Sequence, residues 1–264
     1  MKLKVGMAFL GSLIGLGAAA AVYFGFGISW ITLIVIAGVS LAGYLAAAIA
    51  TPRTSLTRFG EVMRGLLIGF NAGLNGVLAY LLVSAAGAGG EAIAVGIGIG
   101  TVNYLAVFAP ISQTGAYQGF VGYTCWLMPM SWPIVGLGTA FLIVSFLGAL
   151  ITLFRIDYMR ITSMRVDWKT GTIFVQGGFV ANLNYLNTAF NMGNYAFVDR
   201  NSSSWHIDHE AGHTLNLAAF GSIFHLIGAI DENIIPGRGH MAYAERIAES
   251  NDSGSSGANI PMWI

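Results

Sequence analysis

The sequence predicts an α-helical membrane protein of five to six spans, followed by a small C-terminal α+β domain. Three observations carry that prediction. The 264 residues are 55% hydrophobic and only 9% charged, against about 25% charged residues in an ordinary soluble domain. A chain this poor in charge cannot clothe a water-facing surface along its whole length, so lipid must be the solvent for much of it. The charge is also unevenly placed: between Val5 and Phe154 the only acids and bases are Arg53, Arg58, Glu61, Arg64 and Glu91. From Arg155 onward charges recur steadily, and all five histidines fall between His206 and His240. Residues 1–154 therefore read as a transmembrane domain, 155–249 as a separate polar domain, and 250–264 as a flexible tail with an apolar tip.

With about 20 apolar residues needed per helical span, spans are expected near 5–26, 29–50, 63–85, 92–110 and 133–154. Asn71, Asn75 and Asn103 fall inside them and are expected to hydrogen-bond between helices. Glycines at small-residue spacing (Gly11/Gly15, Gly69/Gly73 and the Gly96/Gly98/Gly100 run) favour close helix packing, within the chain or against a second copy or another membrane partner. A conducting pore would need polar or ionisable residues along its wall, and apart from the asparagines and Arg64, at the very start of its span, the spans offer no charge to line one. The N-terminus resembles a secretory signal but reads better as a retained first span. Cys125 is single, so no internal disulfide forms.

The uncharged stretch 110–132 admits three readings: an external loop, a re-entrant segment, or a sixth span broken by Pro129 and Pro133. Basic residues cluster at Lys2/Lys4, at Arg53/Arg58/Arg64 and at Arg155/Arg160/Arg165/Lys169. The positive-inside rule places all three clusters in the cytoplasm, which requires an even number of crossings. The expectation is a protein of the bacterial inner-membrane type with a cytoplasmic C-terminal domain. Five full crossings would instead put that domain outside.

Past Arg160 the pattern becomes short alternating runs. Met164–Lys169 and Thr172–Gln176 flank the turn signal Lys169-Thr-Gly171 and predict a hairpin. Asn194–Val198 is a further strand whose edge could take an extended peptide. The polar cluster Asp199–Ser204 can cap a helix running from about His206 to Phe220, with Gly221 ending or bending it. Asp231 and Glu232 are read as terminating the following apolar segment, and 241–249 as a second short helix.

The chemistry lies in His209-Glu-Ala-Gly-His213. Two histidines four apart on a helix project from one face. Their nitrogens can hold a tetrahedral zinc ion and leave positions for a third protein ligand and a water. Glu210 beside them can take the proton of that water, whose pKa the metal lowers toward ~7. The third ligand must come from downstream. Glu245 on the next helix suits that role, and Glu249, one turn on, can accept the free N–H of a ligating histidine.

These residues give the sequence a resemblance to the gluzincin class of zinc metallopeptidases. In layout it is similar to the membrane CAAX prenyl protease and heat-shock protease X group. The resemblance implies a zincin-like fold, a peptide or protein substrate, and a bound Zn2+. It also implies His209, His213 and Glu245 as ligands and Glu210 as general base. It covers residues 206–249, with two departures. Glu249 stands where such enzymes usually carry aspartate, and the motif follows every recognised span, whereas related enzymes have spans on both sides.

His206, Arg238 and His240 are accessory candidates, the latter two as donors to a developing oxyanion; His225, in an apolar run, reads as a buried hydrogen-bonded residue. Two other functions fit less of the sequence. One is a structural, oligomeric scaffold in which the histidine site only stabilises the fold. The other is an intramembrane protease, which would need an aspartate ligand from a later span. A formal net charge of +0 without a basic patch disfavours nucleic-acid binding.

Overall fold

The computed structural model describes residues 2–51, 57–183, 189–202 and 206–251. Arg53, the end of the predicted polar cap at 203–205 and most of the tail lie outside them. The chain opens with four long helices: α1 (Lys2–Phe26), α2 (Trp30–Ala50), α3 (Arg58–Ala85) and α4 (Gly90–Tyr104). Gly27, at φ 60°, ends α1. The hydroxyls of Ser29 and Thr57 accept from the backbone N–H groups of Thr32 (3.4 Å) and Gly60 (3.0 Å), starting α2 and α3. Small residues let the backbones meet, as expected. A Cβ on Gly73 would lie 2.6 Å from that of Ala19, and one on Gly96 would lie 2.8 Å from the Gly76 carbonyl oxygen. Gly98 faces open space instead.

The ambiguous stretch after α4 is no span. It forms two short helices, α5 (Ala109–Ser112) and α6 (Gly115–Thr124), and then 3-10 turns leading into α7 (Trp132–Ile151). The predicted hairpin follows as β1 (Ile161–Asp167) and β2 (Thr172–Gly177), then α8 (Phe179–Leu183), β3 (Ala189–Met192) and β4 (Tyr195–Val198). The sheet order is β1-β2-β4-β3, with β2 and β4 parallel and the other pairs antiparallel. The strand expected to offer an edge, β4, is therefore internal. The short strand β3, which the sequence pattern did not reveal, takes the edge. Phe174, Val175, Phe197 and Val198 are fully buried in this sheet.

The chain closes with α9 (Ile207–Asn233) and α10 (Tyr243–Ala248). The helix carrying the histidine motif follows the expected 206–220 as far as Gly221 and resumes after it, to Asn233. It is one of six helices among the described residues that are long and apolar enough to cross a membrane. The expectation that no such helix accompanies the motif is corrected. Yet α9 is not straight. Gly221 sits at φ 83°, ψ 174°, a region open essentially to glycine alone. A Cβ on Gly212, before the break, would lie 3.0 Å from Ala248 Cα, and one on Gly228, after it, would lie 2.5 Å from Ala244 Cβ. On a straight helix Gly212 and Gly228 would stand about 24 Å apart, whereas Ala244 and Ala248 are separated by about 6 Å. The two halves of α9 therefore fold back and clasp α10 between them.

The reversal is buried in the helical bundle and satisfied there. Breaking a helix strands the carbonyls of its last turn. Asn71 donates to the carbonyl of Ala219 (2.9 Å) and Asn103 to that of Ala218 (3.0 Å). The Ser131 hydroxyl donates to the Leu217 carbonyl at 3.4 Å. Asn75 binds the Asn103 side chain (2.7 Å) and accepts from Met130 N (2.8 Å). The interhelical role expected for the three asparagines is met, and its object is the bend in α9. One hydrophobic core runs from Ile68 and Tyr44 through Leu217 and Phe224 to Tyr243, so the two halves of the chain share it.

Gly221→Ala forces a Cβ against Asn71 Oδ1 in a glycine-only backbone region. It should cost about 1–3 kcal/mol, read as a lowered Tm of the purified protein in detergent. An unchanged Tm would mean that the reversal is not under this constraint.

Candidate metal centre

The first half of α9 is held between the sheet and α10. The Asn191 side chain, from edge strand β3, donates to the Glu210 carbonyl (2.9 Å) and to the Thr214 hydroxyl (3.3 Å). Thr214 in turn donates to the Gly193 carbonyl at 2.7 Å. On the opposite side Gly212 gives α10 room to approach, and Asn216 donates to the Ala244 carbonyl at 3.2 Å. The N-terminus of α9 carries no side-chain cap hydrogen bond. His206 occupies the N-cap position in a left-handed conformation, φ 39°.

This packing brings the sequence-predicted ligands together. His209 Nε2 and His213 Nε2 are 3.1 Å apart. Glu245 places one carboxylate oxygen 3.2 Å from His209 Nε2 and the other 3.2 Å from His213 Nε2. These separations suit a shared cation, because two ligands on a tetrahedral zinc with bonds of ~2.0–2.1 Å lie about 3.3 Å apart. Among the described residues, His209, His213 and Glu245 form the one group of three or more such side chains with a metal-binding arrangement. Burial alone would raise the Glu245 pKa, but positive charge on His213 and hydrogen bonds from His209 and His213 outweigh it. The carboxyl is held well below the usual carboxylate range.

Glu249 Oε1 lies 3.4 Å from His209 Nδ1, although the two do not form a hydrogen bond. It faces the ring nitrogen that the ligand set leaves over, where a carboxylate fixes the tautomer. Glu210 is 4% exposed, and its Oε2 makes no hydrogen bond among the described residues. An orphaned carboxylate oxygen is costly, and its natural partner is a water or substrate group in the cleft.

His206 and His240 are exposed and line the same cleft as the ligands, a cavity of about 1190 Å³. Arg238 is engaged elsewhere: its Nε and one terminal nitrogen donate to Asp231 at 2.7 and 3.0 Å. That hydrogen bonding raises its pKa further. His225 is hydrogen-bonded as expected, Nε2 lying 3.0 Å from the Asn191 carbonyl oxygen. Its ring is centred 6.0 Å from that of His213, outside the ligand set.

Asp231 does more than close a helix. It accepts from Tyr44 Oη (2.7 Å) and from Tyr243 N (3.3 Å), while Ala244 N donates to Tyr44 Oη (3.3 Å). A carboxylate and a hydroxyl thus satisfy the first free N–H groups of α10, where negative charge also suits the helix dipole. Glu245 is the next residue. It is therefore aimed by a contact between the second half of α9 and the membrane helix α2, which sequence reasoning missed because Tyr44 carries no local motif.

No protein-family model matches the chain, and comparison with curated proteins and with solved structures returns no match either.

Tyr44→Phe should lower the affinity of the site for zinc about 10-fold, within the range seen when groups that orient ligands are removed. Competition with a chromogenic chelator measures this. Affinity equal to the unsubstituted protein would show that Tyr44 does not position Glu245.

Proposed function

We propose that the protein is a membrane-embedded, zinc-dependent endopeptidase of the gluzincin type that hydrolyses peptide bonds with activated water. The observation that supports this best is the convergence of three donor side chains in one cleft with the buried carboxyl of Glu210, whose Oε2 has no hydrogen-bond partner among the described residues. His209, His213 and Glu245 would hold the ion and Glu249 would orient the His209 ring. A bound zinc ion would supply Lewis acidity and lower the pKa of a water toward ~7. Two imidazoles and one carboxylate are a donor set that catalytic zinc sites use, and the ligand separations suit its tetrahedral geometry.

Glu210 takes the proton of the attacking water at Oε2 and delivers it to the leaving amine nitrogen. Its burial keeps the carboxylate free of competing hydrogen bonds until substrate arrives. His240, exposed and lining the cleft, would hydrogen-bond the oxygen that gains negative charge. The β3 edge runs along the cleft, so an extended peptide can lie beside it, although His225 already occupies the Asn191 carbonyl. A scaffold role accounts for less. Structural zinc sites are closed by four protein ligands, whereas this cluster offers three among the described residues, with a carboxyl group beside them.

Glu210→Gln should abolish hydrolysis of a quenched peptide library by at least about 10²-fold while one zinc per chain is retained. His213→Ala should lose the metal as well. Hydrolysis by Glu210→Gln at the unsubstituted rate, or a folded protein that takes up no zinc, would remove the peptidase reading.

A further inference from the structure

We propose that only α1–α4 cross the bilayer, and that α7 and α9 are half-membrane elements that enter and leave on the side holding every basic residue. The scale is set by α3, whose 28 residues span about 42 Å, more than the ~30 Å hydrocarbon core. Asn71 lies about 20 Å from the Arg58 end of α3 and about 21 Å from the Ala85 end. The reversal at Gly221 abuts Asn71, so the tip of α9 reaches the middle of the bundle and turns back. Each half of α9 is 12–14 residues, about 18–21 Å, too short to cross alone.

The start of α7 lies about one helical turn deeper, since Met130 N donates to Asn75 Oδ1 at 2.8 Å. Its direction follows from its neighbours. Val135 packs on Gly193 beside Leu217, Gly138 approaches the Met192 backbone, and Phe141 meets Phe190 with ring centroids 6.1 to 6.4 Å from Phe197 and Phe190. Along that same path α9 runs outward from Leu217 to His209 and the metal centre. The centre sits at the Arg58 end of the bundle, where the Arg246 guanidinium donates to the Thr51 carbonyl at 3.5 Å. The helix α7 therefore climbs from mid-bundle toward the end where α2 passes into α3. Its outward face, with Leu137, Ile143, Phe146 and Leu150 all at least 40% exposed, is left to the acyl chains of one leaflet.

Charge supports the same arrangement independently. Of the 12 Lys and Arg residues, five precede α4 and seven follow α7. With four crossings all 12 lie on one face, and the connections on the other face, 27–29 and 86–89, carry no charge. If α7 crossed, with or without α9, the residues would divide seven against five and the bias would vanish. The positive-inside rule then assigns the basic face, with its metal centre, to the cytoplasm. The even number of crossings arises because α7 turns out to be a half-span, not because the 110–132 segment crosses.

The test uses the full chain in sealed membrane vesicles of both orientations. Single cysteines at Lys4, Gly89 and Asn201 in a Cys125→Ala background are labelled with a membrane-impermeant maleimide. Asn201→Cys and Lys4→Cys should react from one face, at least 10-fold faster than from the other, and Gly89→Cys from the opposite face. The unsubstituted chain provides a control free of folding defects: trypsin should cut at exposed Lys169 only from the face where Lys4→Cys reacts. Labelling of Asn201→Cys, or cleavage at Lys169, from the Gly89 face would overturn the proposal.

Discussion

The reversal of α9 at Gly221 is the constraint on which the rest of this structure depends. A helix broken inside a membrane bundle exposes carbonyls that neither lipid nor water can satisfy there. Asn71, Asn103 and Ser131 supply donors to three consecutive carbonyls, and Gly221 supplies a backbone conformation closed to other residues. Without those donors the apolar second half of α9 would gain more by continuing straight. With them, the chain returns and the two halves enclose α10.

Enclosure is what brings the candidate ligands together. His209 and His213 stand on the first half of α9, and Asp231 stands on the second, where it grips the start of α10 and so aims Glu245. Tyr44 joins the same cluster from α2. The three donor side chains consequently belong to one packed unit that includes a membrane helix. The geometry of the cluster is coupled to the integrity of the bundle, because the C-terminal half shares a core with the membrane half.

Much of this was legible in the sequence, and what was missed has a common physical cause. The five long apolar runs, the hairpin around Lys169-Thr-Gly171, the histidine pair and the downstream Glu245/Glu249 pair are all local patterns. Local spacing fixes which side chains share a helix face. Gly221 was recognisable as a break, but the direction taken after it depends on Asn71, some 150 residues earlier. Strand β3 is four residues long, Ala-Phe-Asn-Met, too short to show an alternation, and its presence moved the sheet edge away from Tyr195–Val198. Asp231 looked like a helix terminator because its true partners, Tyr44 and the N-terminus of α10, are set by tertiary packing. Composition likewise reports that α7 is apolar, not how deep it starts.

The folded-back helix can be measured directly by the distance between spin labels at Asp208→Cys and Ile230→Cys in a Cys125→Ala background. A straight helix would separate these positions by about 33 Å. The side chain of Asn251 binds the Asp208 carbonyl, and Tyr243 N binds Asp231. Asn251 and Tyr243 are only eight residues apart, about 12 Å of helix. A distance distribution centred below about 25 Å is therefore expected in the reconstituted protein. A single population at about 33 Å or beyond would contradict the reversal, and with it the convergence of Glu245 on the two histidines.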